Sequence, residues 1–240
     1  GRIFALLEEK EESADPAGMI DTVTGNVTID DVAFSYDKEK KLIENFNLDV
    51  QPGMRVAIVG PTGCGKTTFI NLLMRFYDVD AGKVCIDGKP IDELSRHALR
   101  SCFGMVLQDT WLFSGTIFDN IRYGNLSARK DEVIDAAKMA NVHHFIRTLP
   151  QGYNMVINEE GSNISQGEKQ LLTIARAILK NPQIMILDEA TSSVDTRLEK
   201  MLQSAMNKVL KDRTSFVIAH RLSTIKNADL ILVLRDGDIA

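Results

Sequence analysis

Eight consecutive residues, Gly60-Pro61-Thr62-Gly63-Cys64-Gly65-Lys66-Thr67, set glycines, a lysine and a hydroxyl in the spacing G-x-x-x-x-G-K-[ST]. Glycines let successive backbone N–H groups turn inward and approach an anion with no Cβ in the way. A helix opening at Gly65 adds the positive end of its dipole. Lys66 sets a mobile charge against β- and γ-phosphates, and the Thr67 hydroxyl, next to Thr68, offers a ligand to Mg²⁺. Cys64 is expected to contribute its N–H and to leave its side chain a spectator. Chance alone would produce this spacing in roughly one chain per hundred of this length. By itself the run implies a cradle for nucleotide phosphates and nothing narrower.

A second group could complete that chemistry. Ile184-Met185-Ile186-Leu187 is an apolar run that ends in Asp188-Glu189, about 120 residues beyond the cradle. A buried strand that ends in two acids presents them at the carboxyl edge of a sheet, where open α/β folds bind ligands. Asp188 would hold Mg²⁺ and Glu189 would take a proton from an attacking water. Without the cradle the same run reads equally well as a strand and an acidic turn.

The elements that must position these groups follow from periodicity. Strands are predicted at 26–36, 42–50, 55–59, 83–86, 103–107, 183–187, 214–219 and 230–234. The first of these alternate, as half-exposed antiparallel strands do, whereas Val56–Val59, Ile184–Leu187 and Phe216–Ala219 are apolar throughout, as strands covered on both faces are. Helices are predicted at 65–76, 128–140, 165–179 and 196–210, with Ser127 and Ser165 as N-caps. Strands alternating with helices imply a parallel α/β sheet. The stretch 91–163 is expected to be a mostly helical inserted lobe.

Bulk properties exclude some functions. A net charge of −5 with no basic block argues against a nucleic-acid partner. Cys64, Cys85 and Cys102 lie far apart, with no zinc spacing, and fit free thiols in a reducing compartment. No apolar run reaches the roughly 18 residues that span a bilayer. Residues 1–20 read as the end of an amphipathic helix followed by an acidic, proline-containing linker. The strand over 230–234 and its Asp236-Gly237 turn come close to the last residue, so the C-terminus is expected to be truncated.

Asn163-Ile164-Ser165-Gln166-Gly167-Glu168, followed by Leu171-Leu172-Thr173-Ile174-Ala175-Arg176-Ala177, resembles the signature motif of ABC ATPases, usually written L-S-G-G-Q. Further elements fall in that family's order: Ala33-Phe34-Ser35-Tyr36, Gln108, Ser193-Val194-Asp195 and His220. Alone, each has a plain structural explanation; Ser165 with Glu168, for instance, is a capping box. None of those explanations accounts for all of them in one order. The resemblance covers about 26–239. Gln108-Asp109-Thr110-Trp111-Leu112-Phe113-Ser114-Gly115-Thr116-Ile117 and Ala219-His220-Arg221-Leu222-Ser223-Thr224-Ile225 are similar to the exporter branch, in which membrane and ATPase domains share one polypeptide.

The resemblance implies a RecA-like P-loop NTPase core, an antiparallel β subdomain and an inserted α-helical subdomain, all within residues 21–240. It makes Tyr36 the ring that stacks on adenine, and Gly60 to Thr68 with Gln108 the nucleotide contacts. Thr67, Gln108 and Asp188 would hold Mg²⁺, while Glu189, His220, Lys66 and Gln108 would serve hydrolysis. Asp195 would form the D-loop, and Ser165, Gln166, Gly167 and Glu168 would act on the nucleotide of a second ABC ATPase domain, identical or homologous, met head to tail. ATP hydrolysis would then power export, at the cytoplasmic face of a membrane, by a transmembrane domain on the same polypeptide. Two departures from the motif bear on its chemistry: Gln166 replaces its first glycine and Glu168 its final glutamine, bringing a negative charge toward an anion. Soluble ABC ATPases of DNA repair or the ribosome would need coiled-coil insertions or tandem domains that are missing here. A P-loop kinase would have no use for the signature, and a purely regulatory module would be expected to lose Glu189.

Overall fold

The apolar runs expected to be covered on both faces are covered by two different cores. The computed structural model describes residues 14–37, 42–158, 163–188, 196–235 and 238–239. The strands are β1 (Val27–Phe34), β2 (Ile43–Val50), β3 (Arg55–Val59), β4 (Ala81–Ile86), β5 (Lys89–Pro90), β6 (Phe103–Val106), β7 (Gly115–Thr116), β8 (Val156–Ile157), β9 (Ile184–Asp188), β10 (Thr214–Ile218), β11 (Leu230–Arg235) and β12 (Asp238–Ile239). The helices are α1 (Lys66–Leu73), α2 (Arg96–Ser101), α3 (Ile117–Arg122), α4 (Lys130–Met139), α5 (His143–Thr148), α6 (Gln166–Lys180), α7 (Thr196–Leu210) and α8 (Leu222–Lys226).

The main sheet runs β12-β11-β3-β10-β9-β6, parallel except for the β11–β12 hairpin. Successive side chains of a strand face opposite ways. Ile184, Ile186, Phe216 and Ile218 therefore enter one core with Val27, Phe34, Phe69 and Leu73. Met185, Leu187 and Val217 enter the other with Ile121, Val133, Leu171 and Val209. Each fully buried side chain of this size stabilises the fold by about 1.5–3 kcal/mol. The first core is roofed by an antiparallel sheet in the order β2-β1-β4-β5. In β1 the register shifts between Ile29 and Val32, around Asp31 at φ 50°, and this bulge restores burial to Val32 and Phe34.

The helical stretch begins later than the sequence implies. Within 91–163, α2 precedes β6, and β6 is an edge strand of the main sheet paired with β9. The predicted helix over 65–76 stops at Leu73, because Arg75 turns left-handed at φ 50°. The turn buries its guanidinium, and Nη1 donates to the carbonyls of Ile91, Asp92 and Leu94 at 3.2–3.3 Å. Ser127 caps no helix: its hydroxyl donates to Asn125 Oδ1 at 2.8 Å, while the N-cap of α4 is Arg129, two residues later, whose N–H Glu132 accepts at 2.7 Å. Ser165 does cap α6. The helix expected over 1–10 lies outside the described residues. The end of the linker docks on α2, with Asp15 accepting the Arg96 N–H at 2.9 Å and Gly18 O the Ser95 N–H at 2.9 Å. Among the described residues no helix is long and apolar enough to cross a membrane.

Candidate functional site

Four strand ends meet at one edge of the main sheet. Ile218 sits between Ile58 and Asp188 in register, and Val106 lies opposite Leu187. The residues that follow, Gly60 after β3, Gln108 after β6 and His220 after β10, are thereby delivered to the edge where β9 presents Asp188. Glu189 and Asp195 lie outside the described residues, as do Ser193 and Val194.

The cradle residues turn around a close contact. A Cβ on Gly60 would stand 2.3 Å from Leu234 O and 2.5 Å from Cys64 Sγ. The Cys64 side chain is thus a buried filler under the loop. Gly65 is the N-cap of α1 at φ 104° and offers no side chain to cap it, so the first-turn N–H groups of that helix have no side-chain acceptor at the cap. Lys66 Nζ donates to Gly60 O at 2.7 Å and Pro61 O at 2.8 Å, which holds the ammonium over the loop. Pro61 serves here through its carbonyl, since proline has no N–H. Pro61, Thr62, Gly63 and Thr67 are exposed.

Tyr36 stands beside this loop. Its ring is 53 % exposed and meets Phe34 and Tyr77 edge to face, with centroids 4.9 and 5.0 Å apart. Its hydroxyl donates to Thr68 Oγ1 at 3.2 Å. The Thr68 side chain is therefore occupied and buried, which leaves only its backbone to face a ligand.

Among the described residues of the edge, Asp188 carries a buried oxygen, Oδ1, without a hydrogen-bond partner. His220 Nε2 lies 3.4 Å away, within ion-pair reach but poorly aligned to donate. A buried carboxylate oxygen without a donor suits a hard divalent cation, and the exposed Thr67 hydroxyl and Gln108 amide carry oxygens of the kind Mg²⁺ takes. A cavity of about 400 Å³ between α7 and α8 includes Arg55, Lys200 and Arg221 in its lining but none of these groups. The site belongs where the phosphate- and cation-seeking groups converge.

The signature residues open α6. Ser165 and Glu168 form a reciprocal cap: the Ser165 N–H and hydroxyl donate to Glu168 Oε2 at 3.0 and 2.7 Å, and the Glu168 N–H donates to Ser165 Oγ at 3.4 Å. The carboxylate that departs from the family motif thus has a structural task. Gly167 is buried, and Gln166 Nε2 donates to Thr110 Oγ1 at 3.0 Å.

Two residues that position the site went unrecognised in the sequence. Arg176 of α6 donates to Asn120 O at 2.9 Å, Asn120 Oδ1 at 3.1 Å and Trp111 O at 3.1 Å. Fully buried Asn120 accepts from the Phe113 N–H and donates to Phe113 O and Thr116 O. Together they fix the loop after Gln108 to the signature helix, and burial pushes the Arg176 guanidinium below its usual pKa. An arginine within the largely apolar run Leu171–Ala177 was the available signal.

Comparison with known proteins shows the family and agrees with the fold. The ABC transporter family matches residues 43–192. Over 238 residues the chain is 54 % identical to a fatty acid ABC transporter ATP-binding/permease protein of Mycobacterium bovis, a match over 99 % of this chain and 38 % of the relative. An ATP-dependent lipid A-core flippase of Syntrophus aciditrophicus is 46 % identical over 240 residues, covering 99 % of this chain and 40 % of that protein. A solved bacterial Atm1-family ABC exporter with ATP bound superposes with a TM-score of 0.85 at 44 % identity, over 100 % of this chain and 42 % of that one. The chain thus spans about two fifths of the length of these relatives.

Proposed function

The chain belongs to the ABC transporter family, and on that premise we propose that it binds Mg²⁺-ATP at the sheet edge and hydrolyses it to power export by a longer transporter. The observation that carries this reading is the convergence of the glycine cradle, the donor-free Asp188 oxygen and His220 at neighbouring strand ends. The first-turn amides of α1 and Lys66 hold the phosphates, and the exposed Tyr36 ring stacks on the base. Thr67, Asp188 and Gln108 hold Mg²⁺, which when bound neutralises charge on the phosphate oxygens. Glu189, next to Asp188 in sequence, takes the proton of the attacking water, and His220 steadies the γ-phosphate from β10.

Two relatives carry the words permease or flippase in their names, and each is more than twice the length of this chain. That supports a transmembrane domain on the same polypeptide and a location at the cytoplasmic face of a membrane. Exposed Leu107, Trp111, Tyr123 and Leu126 near the loop after β6 give the helical lobe apolar surface suited to contact with such a domain. The α6 N-terminus is a second anion-seeking helix end in a chain that already has one cradle. This favours a head-to-tail dimer in which Ser165, Gln166, Gly167 and Glu168 of one copy close over the nucleotide of the other, with Asp195 at the seam. A net charge of −5 gives no footprint for nucleic acid.

Glu189→Gln tests the assignment. ATP binding is expected to persist while turnover falls by about 10²–10⁴-fold, the range of a general base. Turnover near that of the parent would remove Glu189 from the mechanism.

A further inference from the structure

The ring of Tyr36 lies two residues beyond the end of β1, so the sheet ladder does not fix its tilt. Its hydroxyl reaches Thr68 Oγ1 at 3.2 Å. An O–H that rotates about its own bond anchors the far end of a ring and leaves the plane free to turn. Stacking on a base depends on that plane, because only the face of a ring can lie against the base. Two other rings set it. Tyr77 meets Tyr36 with centroids 5.0 Å apart and planes at 88°. Buried Phe34 meets Tyr36 at 4.9 Å and Tyr77 at 5.7 Å, so the three rings close into one cluster.

Tyr77 can hold another ring because its own segment is held at several points. The Arg75–Asp78 ion pair, at 2.8 Å, brackets it, and the Phe76 N–H donates to Asn71 O at 2.8 Å. Asp80 then ties the segment to the one that carries Tyr36. Its N–H donates to Ala33 O at 2.9 Å, and its Oδ2 accepts the Ser35 N–H at 2.8 Å. The left-handed turn at Arg75 that ends α1 early thus sets Tyr77 beside Tyr36. Tyr77 remains 46 % exposed, so burial in the core accounts for only part of its ring.

We propose that Tyr77 is a positioning residue for nucleotide binding, which holds the Tyr36 ring in the plane that receives the base and does not itself touch the base. Its contribution then falls on the affinity for nucleotides and leaves the phosphate cradle unaffected. This inference rests on the stacking role proposed above for Tyr36, and its test keeps the two apart.

The 240-residue chain is titrated calorimetrically with Mg²⁺-ATP and with Mg²⁺-triphosphate, which carries no base. Tyr77→Ala is expected to weaken ATP binding by about two- to tenfold, the span of one aromatic pair. Triphosphate binding should not change. Tyr77→Leu, which keeps apolar bulk without a ring, should behave as the alanine does. Tyr77→Phe, which keeps the ring, should bind ATP as the parent does. Added to Tyr36→Ala, Tyr77→Ala should cost nothing further, since no ring remains to be oriented. Parent ATP affinity in Tyr77→Ala, or an equal loss of triphosphate binding, would overturn the proposal. Failure of phenylalanine to restore affinity, or a loss that persists in full without Tyr36, would do the same. Parent ATP affinity in Tyr36→Ala would instead sink the stacking role itself, and the positioning role with it.

Discussion

The two helix ends proposed to meet phosphate are built on opposite plans. At the β3–α1 turn the cradle is fixed from beneath: Gly60 rests on Leu234 O and Cys64 Sγ, and the strands on either side of β3 are parallel and apolar. At the start of α6 the geometry is fixed from above by side chains, through the Ser165–Glu168 cap and the Gln166–Thr110 bond. A backbone held by its core tolerates almost no change, because every alternative puts atoms where others already are. A helix end held by exposed caps accepts alternative residues that keep the hydrogen bonds. The contrast explains how the signature can depart from its family motif while the cradle does not.

The strongest way to break this comparison is Gly60→Ala. Its Cβ would overlap Leu234 O, and the core cannot yield, so unfolding free energy is expected to drop by about 1–3 kcal/mol. ATP affinity should fall by about tenfold or more, since about 1.4 kcal/mol of lost amide contact suffices; calorimetry and nucleotide titration measure both. A variant with parent affinity would show the cradle to be as forgiving as the α6 end. Next in size is Tyr36→Ala, which should weaken ATP binding by about 1–3 kcal/mol if the ring stacks on the base. GTP should bind nearly as well as ATP to the parent, and a strict preference for ATP in competition would point to hydrogen-bond readout instead. The smallest effect belongs to the signature. Glu168→Gln keeps a capping acceptor at the third helical residue and removes a charge. Stability is expected to stay within about 0.5 kcal/mol, and ATP-driven dimerisation to tighten a few-fold, by roughly the 0.3–1 kcal/mol of a charge at a helix terminus. Weaker dimerisation would mean that the carboxylate itself is needed.

The same division governed what could be read from the sequence. The cradle, β3 and α7 were legible because their determinants are local: a fixed spacing, a buried run, an amphipathic period. The bounds of β3 and α7 match expectation to the residue. Ser165 was legible as a cap because its partner is three residues away, whereas Ser127 misled because Glu132 supplied a better start to α4. The early end of α1 was not legible, since it is decided by carbonyls 16 to 19 residues downstream that draw in Arg75. The placement of β6 in the main sheet was obscured by its helical surroundings, and the Gln166–Thr110 and Arg176–Asn120 contacts each span 56 residues. Glycines and charges announce themselves, but the partner of a long-range hydrogen bond does not.

The alternation of β9 and β10 between two cores has a consequence for how the domain comes apart. These strands are a party wall: Ile184, Ile186, Phe216 and Ile218 furnish one room, while Met185, Leu187 and Val217 furnish the other. Neither room can be emptied without exposing one side of the wall to water and loosening the strands that the other side depends on. The β roof and the helical lobe, different in architecture, are therefore expected to unfold in a single transition. A substitution far out in the lobe that weakens packing on Leu187 reaches Asp188, the next residue along the same strand.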